Sequence, residues 1–450
     1  MSTLQPRPTL GAPQPYTFPD LNRLDVGNGS VIAIDLPGQP YASLRLIHPS
    51  GALAEPDGHA GVATLVGETL EDGIEGNSSL APQLERFGAE WYCRVSWDSF
   101  VSGVDAPVNR LEAATALFAE ALRSPALTSD DIVRRRGQLV ERFAIEVSRP
   151  NVMAGRMVGA QLFDGRHATP LGGSPVGLAN LEPEDVRAFH RSALGGSAGT
   201  LVIVGDLADV DLEGVGKAVF GDAAAGRRLP ATTPEPASSD APRIVVLDRP
   251  DSVQSALVLA QRAPSRRDID LPSAEGMSDV LGGMFTSRLN GELRERRGST
   301  YGVGAGFDLR RDSGVFQIRS QVEGPTTAAS LSTTLTEIAW LQAEGVKESE
   351  LEAVRESNTV GMPVTYSNAR ALAGAAVEMV VHDLPEDHVD QLRAGFERLT
   401  VEDLDRAARE LLRPREQVAV VVGDAASIAE PLRDIGFGPV EVHEADTLWS

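Results

Sequence analysis

The chain has a single cysteine, Cys93, which excludes an intramolecular disulfide framework and any thiolate-cluster metal site. Cys93 lies in an apolar, strand-like run with no neighbour that would lower its pKa, so it reads as a buried bystander rather than a nucleophile. Lysine is nearly missing: Lys217 and Lys347 are the only two among 41 basic residues. Acidic residues prevail, and the formal charge of −23 leaves no clustered cations to neutralise phosphates, so nucleic acid is not an expected partner. No apolar run reaches the ~18 residues of a membrane span. From Met1 to Pro19 there is no basic start followed by an apolar stretch, so no secretory signal is read and a cytoplasmic location is expected. Familiar catalytic templates are missing too. There is no G-x-S-x-G elbow, and Gly302-Val303-Gly304-Ala305-Gly306 lacks the GK[ST] of a phosphate loop. The alternation of Val303, Ala305, Phe307 and Leu309 reads as a strand instead.

What is present is a repeat. Leu181 to Asp206 and Leu399 to Asp424 align without a gap: Glu184-Asp185 falls on Glu402-Asp403, Leu194 on Leu412, and Gly205-Asp206 on Gly423-Asp424. In each copy an acidic pair opens an amphipathic helix, where carboxylates suit the positive helix end. A continuous apolar strand follows, Leu201 to Val204 and Val418 to Val422. Fainter capped helix starts echo upstream at Thr128 and Lys347. At 450 residues the chain is too long for one ordinary core. The expectation is an α+β fold of two homologous domains, each a mostly antiparallel sheet covered by helices, arranged as a half-clamshell. Residues 20–222 form the first, 223–243 an Ala/Pro/Ser/Thr-rich linker, and 244–450 the second.

Several segments resemble one family, the pitrilysin/insulinase (inverzincin) zinc metallopeptidases. They are Gly51-Ala52-Leu53-Ala54-Glu55-Pro56, Gly61-Val62-Ala63, Phe163-Asp164-Gly165 through Pro170-Leu171-Gly172-Gly173, and Leu281-Gly282-Gly283 through Ser287-Arg288-Leu289. Active members carry H-x-x-E-H after the Gly-x-Ala, two histidines holding zinc and a glutamate activating its water. Here Thr64 stands for the first His, Gly67 for the Glu base and Glu68 for the second His. Glu141 and Glu146 fall in the window of the family's third ligand, a glutamate. No metal or other cofactor is therefore expected in this chain. The histidines offer no substitute. No two of His48, His59, His167, His190, His382, His388 and His443 lie four apart around a Glu, and all are read as loop or surface residues, with His167 in a family loop. Glu68, Glu71 and Asp72 read as a solvated acidic face.

One functional segment of the resemblance is retained. Leu293-Arg294-Glu295-Arg296-Arg297-Gly298-Ser299-Thr300-Tyr301 is similar to the stretch whose Arg and Tyr reach the zinc site in active relatives, bind the substrate backbone and stabilise the oxyanion. By the resemblance those roles fall to Arg294 and Tyr301. A chain without the zinc motif but with the pair resembles the partner chain of two-chain bacterial members and the alpha subunit of mitochondrial processing peptidase. The implied function is a non-catalytic, substrate-binding subunit, inactive alone, that completes the site of an H-x-x-E-H partner of similar length holding the zinc. Peptide is the expected substrate. A structural or assembly protein, or a stand-alone peptide-binding module of the same fold, is the alternative.

Overall fold

The computed structural model describes residues 16–194, 198–223, 235–237 and 241–445. Most of the expected 223–243 linker lies outside the described residues. Among the described residues fourteen strands form two six-stranded sheets and a small ribbon. The first sheet comprises β1 (Asn22–Val26), β2 (Gly29–Asp35), β3 (Tyr41–His48), β6 (Glu90–Val95), β7 (Phe100–Pro107) and β8 (Thr200–Gly205). The ribbon is β4 (Gly73–Ile74) with β5 (Asn77–Ser78). The second sheet comprises β9 (Arg243–Asp248), β10 (Gln254–Ala263), β11 (Thr300–Leu309), β12 (Gly314–Glu323), β13 (Val418–Gly423) and β14 (Val440–Glu444).

The strand orders are β1-β2-β8-β3-β7-β6 and β11-β12-β10-β13-β9-β14. Read from the parallel pair outward, β2-β8-β3-β7-β6 corresponds strand for strand to β9-β13-β10-β12-β11. In both runs the first pair is parallel and the other three are antiparallel. The repeat seen in the sequence lands on equivalent elements. The acidic pairs open the helices Pro183–Ala193 and Val401–Leu411, and the apolar runs become β8 and β13, each central in its sheet. A central strand covered on both faces carries a continuous apolar run rather than an alternating one, which Val418 to Val422 follows with every residue buried.

The covering helices are exchanged between the halves. The outer face of the second sheet is covered by a helix of the first half, Pro150–Leu162, whose Met153, Ala154, Met157, Val158 and Leu162 pack on Val245, Val258 and Val420. Reciprocally, the helix Ala369–His382 of the second half lays Ala369, Leu372, Ala373, Ala376 and Met379 on Ile32, Ile34, Val202 and Val204 of the first sheet. Those residues recur at three- and four-residue spacing, one apolar stripe of a helix. Three alanines on the stripe let the helix approach the sheet closely. We label the helices that build the site and this exchange α1 (Val62–Thr69), α2 (Ser129–Val147), α3 (Pro150–Leu162), α4 (Pro183–Ala193), α5 (Ala369–His382) and α6 (Val401–Leu411).

Candidate functional site

The three positions of the altered zinc motif come together in one cavity. Helix α1 is short and its start is fixed by a buried carboxylate: Glu55 accepts hydrogen bonds from the backbone N–H groups of Gly61 and Ala63, each at 3.0 Å. Burial raises the Glu55 pKa to about 7, against the opposing pull of those two hydrogen bonds. Gly61 is left-handed at φ 95°, and a Cβ there would stand 2.6 Å from the carbonyl oxygen of Gly172. Only glycine allows the loop through Gly172 to close over the start of α1. From this anchored start Thr64, Gly67 and Glu68 face a cavity of about 440 Å³. Its other walls are Trp91, Tyr92 and Cys93 of β6, Leu139, Arg142, Phe143 and Glu146 of α2, Arg156 of α3, and the loop at Leu171.

Ion pairs tie the helices together at this cavity. Arg142 holds both oxygens of Glu68, at 2.7 and 3.1 Å. One turn on, Arg135 grips both oxygens of Asp72 at 2.8 and 2.7 Å, and Arg134 adds a contact at 2.8 Å. Glu146 pairs with Arg156, whose guanidinium lies 4.5 Å from the centre of the Phe143 ring. Asp72 and Glu68 favour the charged forms of Arg135 and Arg142, whose pKa values rise accordingly. The expected solvated acidic face is therefore corrected. Glu68 and Asp72 are partly buried and committed to α2, because an unpaired acidic cluster packed against a helix would bear both desolvation and repulsion.

The donor set does not fit zinc. Thr64 and Gly67 supply no ligand, and Glu68 and Glu146 are already neutralised by guanidinium groups inside the same cavity. Glu141, the other candidate third ligand, is exposed and does not line the cavity. Among the described residues no group of three or more His, Cys, Asp or Glu side chains is placed to hold a metal ion. Cys93 is half-buried, as expected of a bystander, and burial together with the Glu68 and Glu71 charges pushes its thiol far above the ordinary range. Its position is more consequential than the sequence reading allowed. A Cβ built on Gly67 would stand 2.8 Å from Cys93 Sγ, so the general-base position is sterically filled from the neighbouring strand.

The histidine reading needs partial correction. His48, His167 and His190 are buried. His190 bonds the Leu122 carbonyl oxygen at 2.8 Å, so its ring is used by the fold. His167 sits between the halves, 3.2 Å from Arg310 and stacked on Trp97 at 5.9 Å. Burial and the adjacent arginine lower its pKa to about 4. The partners of His167 and His190 come from distant segments, Arg310 and Leu122, which is why the local sequence did not reveal their burial.

Arg294 and Tyr301 are on the second sheet side and do not line this cavity. Arg294 lies in the last turn of a π-helical segment, Asn290–Arg296, and its guanidinium carbon lies 3.4 Å from the centre of the Phe285 ring. It also donates to the Glu295 carboxylate at 2.8 Å. Phe285 is itself 73% exposed. Tyr301 opens β11, an edge strand, at a bulge where the pairing with β12 shifts between Thr300 and Val303. Its side chain is 95% exposed. Sequence reasoning missed Phe285, although its four-residue lead on Leu289 and its place beside Gly282-Gly283 put it within reach of the Arg294 segment.

A family model described as the peptidase M16 inactive domain matches residues 180–358. Uncharacterized zinc proteases of Mycobacterium bovis and Mycobacterium tuberculosis are each 25% identical over 343 residues, covering 74% of this chain and 76% of theirs. Among solved structures, a peptidase M16 inactive domain from Pseudomonas fluorescens superposes with a TM-score of 0.81 at 24% identity, over 90% of this chain and 98% of that one. A protease from Helicobacter pylori gives 0.80 at 18% identity over 90% and 99%. A chain of Complex III2 from Candida albicans gives 0.76 at 14% identity over 93% and 99%. The three structures share the fold.

Proposed function

We propose that this chain, which is similar to inactive members of the peptidase M16 family of pitrilysin and insulinase type, is the non-catalytic, substrate-binding subunit of a two-chain zinc endopeptidase. It contributes Arg294 and Tyr301 to the zinc site of a partner that carries H-x-x-E-H, and the pair acts on peptide bound between the chains. The observation that carries this reading is the exposure of Tyr301, 95%, together with an Arg294 guanidinium stacked on the exposed Phe285 ring. A tyrosine that served the fold would bury its ring and leave its hydroxyl a partner. This one is aimed outward by a bulge, the backbone device that re-aims side chains at strand edges and active sites.

The chemistry suits the role. Peptide hydrolysis builds negative charge on the scissile carbonyl oxygen. A tyrosine hydroxyl and a guanidinium are both donors that stay protonated at neutral pH. A preorganised donor aimed at that oxygen contributes about 2.7–4 kcal/mol, or about 10²–10³ in kcat. Zinc belongs to the partner in this scheme, and the site of action is the cytoplasm.

The test is co-expression with an H-x-x-E-H chain, purification of the complex, and steady-state kinetics on a peptide. Tyr301→Phe removes only the hydroxyl, so turnover should fall about 10²-fold or more with assembly and zinc content unchanged. If Tyr301→Phe and Arg294→Ala both assemble and cleave at the wild-type rate, the pair has no part in the chemistry and the assembly-protein reading takes its place.

A further inference from the structure

Arg294 and Tyr301 come from different segments, and one buried side chain joins those segments. Asn290 opens the π-helical segment that carries Arg294, and it is only 3% exposed. Its Oδ1 accepts the backbone N–H of Val303 at 3.0 Å, and its Nδ2 donates to the Val303 carbonyl oxygen at 2.9 Å. The same Nδ2 donates to the Met284 carbonyl oxygen at 3.1 Å and to Ser287 Oγ at 3.0 Å. Met284 and Ser287 bracket the turn of Phe285, the ring on which the Arg294 guanidinium is stacked.

The contact with Val303 has a particular form. β11 is the edge strand of its sheet, so on its outer side no further strand pairs with it. In an antiparallel ladder both backbone groups of one residue point to the same side. The Asn290 amide meets both groups of Val303, as a peptide unit of a further strand would. Just before Val303 the pairing of β11 with β12 slips, and Tyr301 and Gly302 fall within the slip. Gly302 is held from one end, where its N–H donates to Thr300 Oγ1 at 3.1 Å. Asn290 holds the other end at Val303, and it also reaches the helix and the turn that place Arg294. An asparagine suits this position because it offers an acceptor and two N–H donors in one plane. An apolar side chain of the same size would leave both Val303 groups without these partners.

We propose that Asn290 is a positioning residue for peptide hydrolysis, fixing Tyr301 on β11 relative to Arg294 and the Phe285 turn. This rests on the role given above to Arg294 and Tyr301. Asn290 is buried and acts on the substrate only through Val303 and the bulge. The Tyr301 side chain is almost wholly exposed, so its placement depends on the backbone that carries it. A misplacement of about 1 Å in such a group costs on the order of 10²-fold in rate.

The experiment uses the complex with an H-x-x-E-H chain and an internally quenched peptide as substrate. Asn290→Ala should lower kcat about 10- to 100-fold, with KM within about twofold of wild type and zinc content unchanged. The deciding measurement is a double-mutant cycle with Tyr301→Phe. Where the Tyr301 hydroxyl is already gone, Asn290→Ala should cost less than about twofold more in kcat. Leu372→Ala, a buried change on α5, controls for lost stability and should leave kcat unchanged. If Asn290→Ala does not assemble, Asn290→Ser takes its place in the cycle. An equal fold-loss in both backgrounds shows general damage and overturns the proposal. So does wild-type kcat in Asn290→Ala beside an impaired Tyr301→Phe, and so does failure of both Asn290 variants to assemble. These three outcomes leave the subunit role standing. If Tyr301→Phe itself cleaves at the wild-type rate, Tyr301 has no part in the chemistry and this proposal falls with it.

Discussion

Rebuilding the zinc motif is the sharpest trial of the altered site. The change is Thr64→His, Gly67→Glu and Glu68→His together. Three costs can be read from the geometry. At position 67 the new Cβ meets Cys93 Sγ at 2.8 Å and the Phe100 ring at 3.5 Å, and overpacking of this kind costs about 1–3 kcal/mol. At position 68 the substitution releases Arg142, whose side chain is about half exposed at 48% and can swing into solvent, so that loss is only about 0–1 kcal/mol. The new imidazoles then lack oriented partners, and missing partners of that kind typically cost metal sites 10–100-fold in affinity. The triple variant should therefore melt a few degrees below wild type by calorimetry and retain well under one zinc per chain after dialysis. Adding Cys93→Ala removes the clashing sulfur and should recover much of the lost stability without restoring full metal affinity. A triple variant with unchanged melting temperature and one tightly held zinc per chain would refute the steric argument.

Two further perturbations test the architecture and its charges. Leu372→Ala empties a fully buried position on α5, which belongs to the second half but covers the first sheet, and should cost about 2–5 kcal/mol. Since each half carries a cover of the other, denaturant unfolding should remain a single coincident transition by fluorescence and circular dichroism, and two separated transitions would disprove the coupling. Glu275 has a folded pKa raised from 4.5 to about 7 by burial and by Asp279 and Glu378, so the folded state binds the extra proton. Its contribution to stability is then lost as pH rises between about 4.5 and 7. Glu275→Gln should accordingly raise the melting temperature at pH 8 and change little at pH 4, and an equal shift at both would show that the charge is not responsible.

The fold was legible because its strongest signals are local and doubled. The acidic pair, amphipathic helix and apolar strand of the repeat predicted α4 with β8 and α6 with β13, and both pairs formed in equivalent places. The glycine-rich stretch was rightly read as a strand, since Val303, Ala305 and Phe307 turn to the core while Gly304 and Gly306 face open space. The exchange of α3 and α5 was not legible. An apolar stripe says that a helix is covered but not by which sheet, and Ala369 to Met379 would fit either. The parallel pairs were equally hidden, because register and direction within a sheet depend on connections rather than on the composition of a strand.

The altered site was legible only as a loss. Thr64, Gly67 and Glu68 sit where a resemblance puts them, but the arginines that pair with this segment come from a helix about seventy residues later in the chain. A signal for it exists in hindsight. Arg135, Leu139, Arg142 and Glu146 recur at helical spacing, so they form one stripe, and all but Arg135 line the cavity. A stripe of arginines on a helix normally reads as a solvated face, and only its contact with α1 converts it into a cross-link. The two helices are thus held together without a metal between them. A metal joins two helices by shared bonds, and Glu68–Arg142 with Asp72–Arg135 joins the same two helices by shared protons. The Glu68–Arg142 pair opposes a metal ligand at position 68, since a histidine there must displace a guanidinium already satisfied. Tyr301 faces the opposite constraint. Nothing packs on it, so the fold would be indifferent to its replacement. A cavity sealed by ion pairs and a tyrosine left outside are what a chain would carry if its chemistry were completed by another molecule.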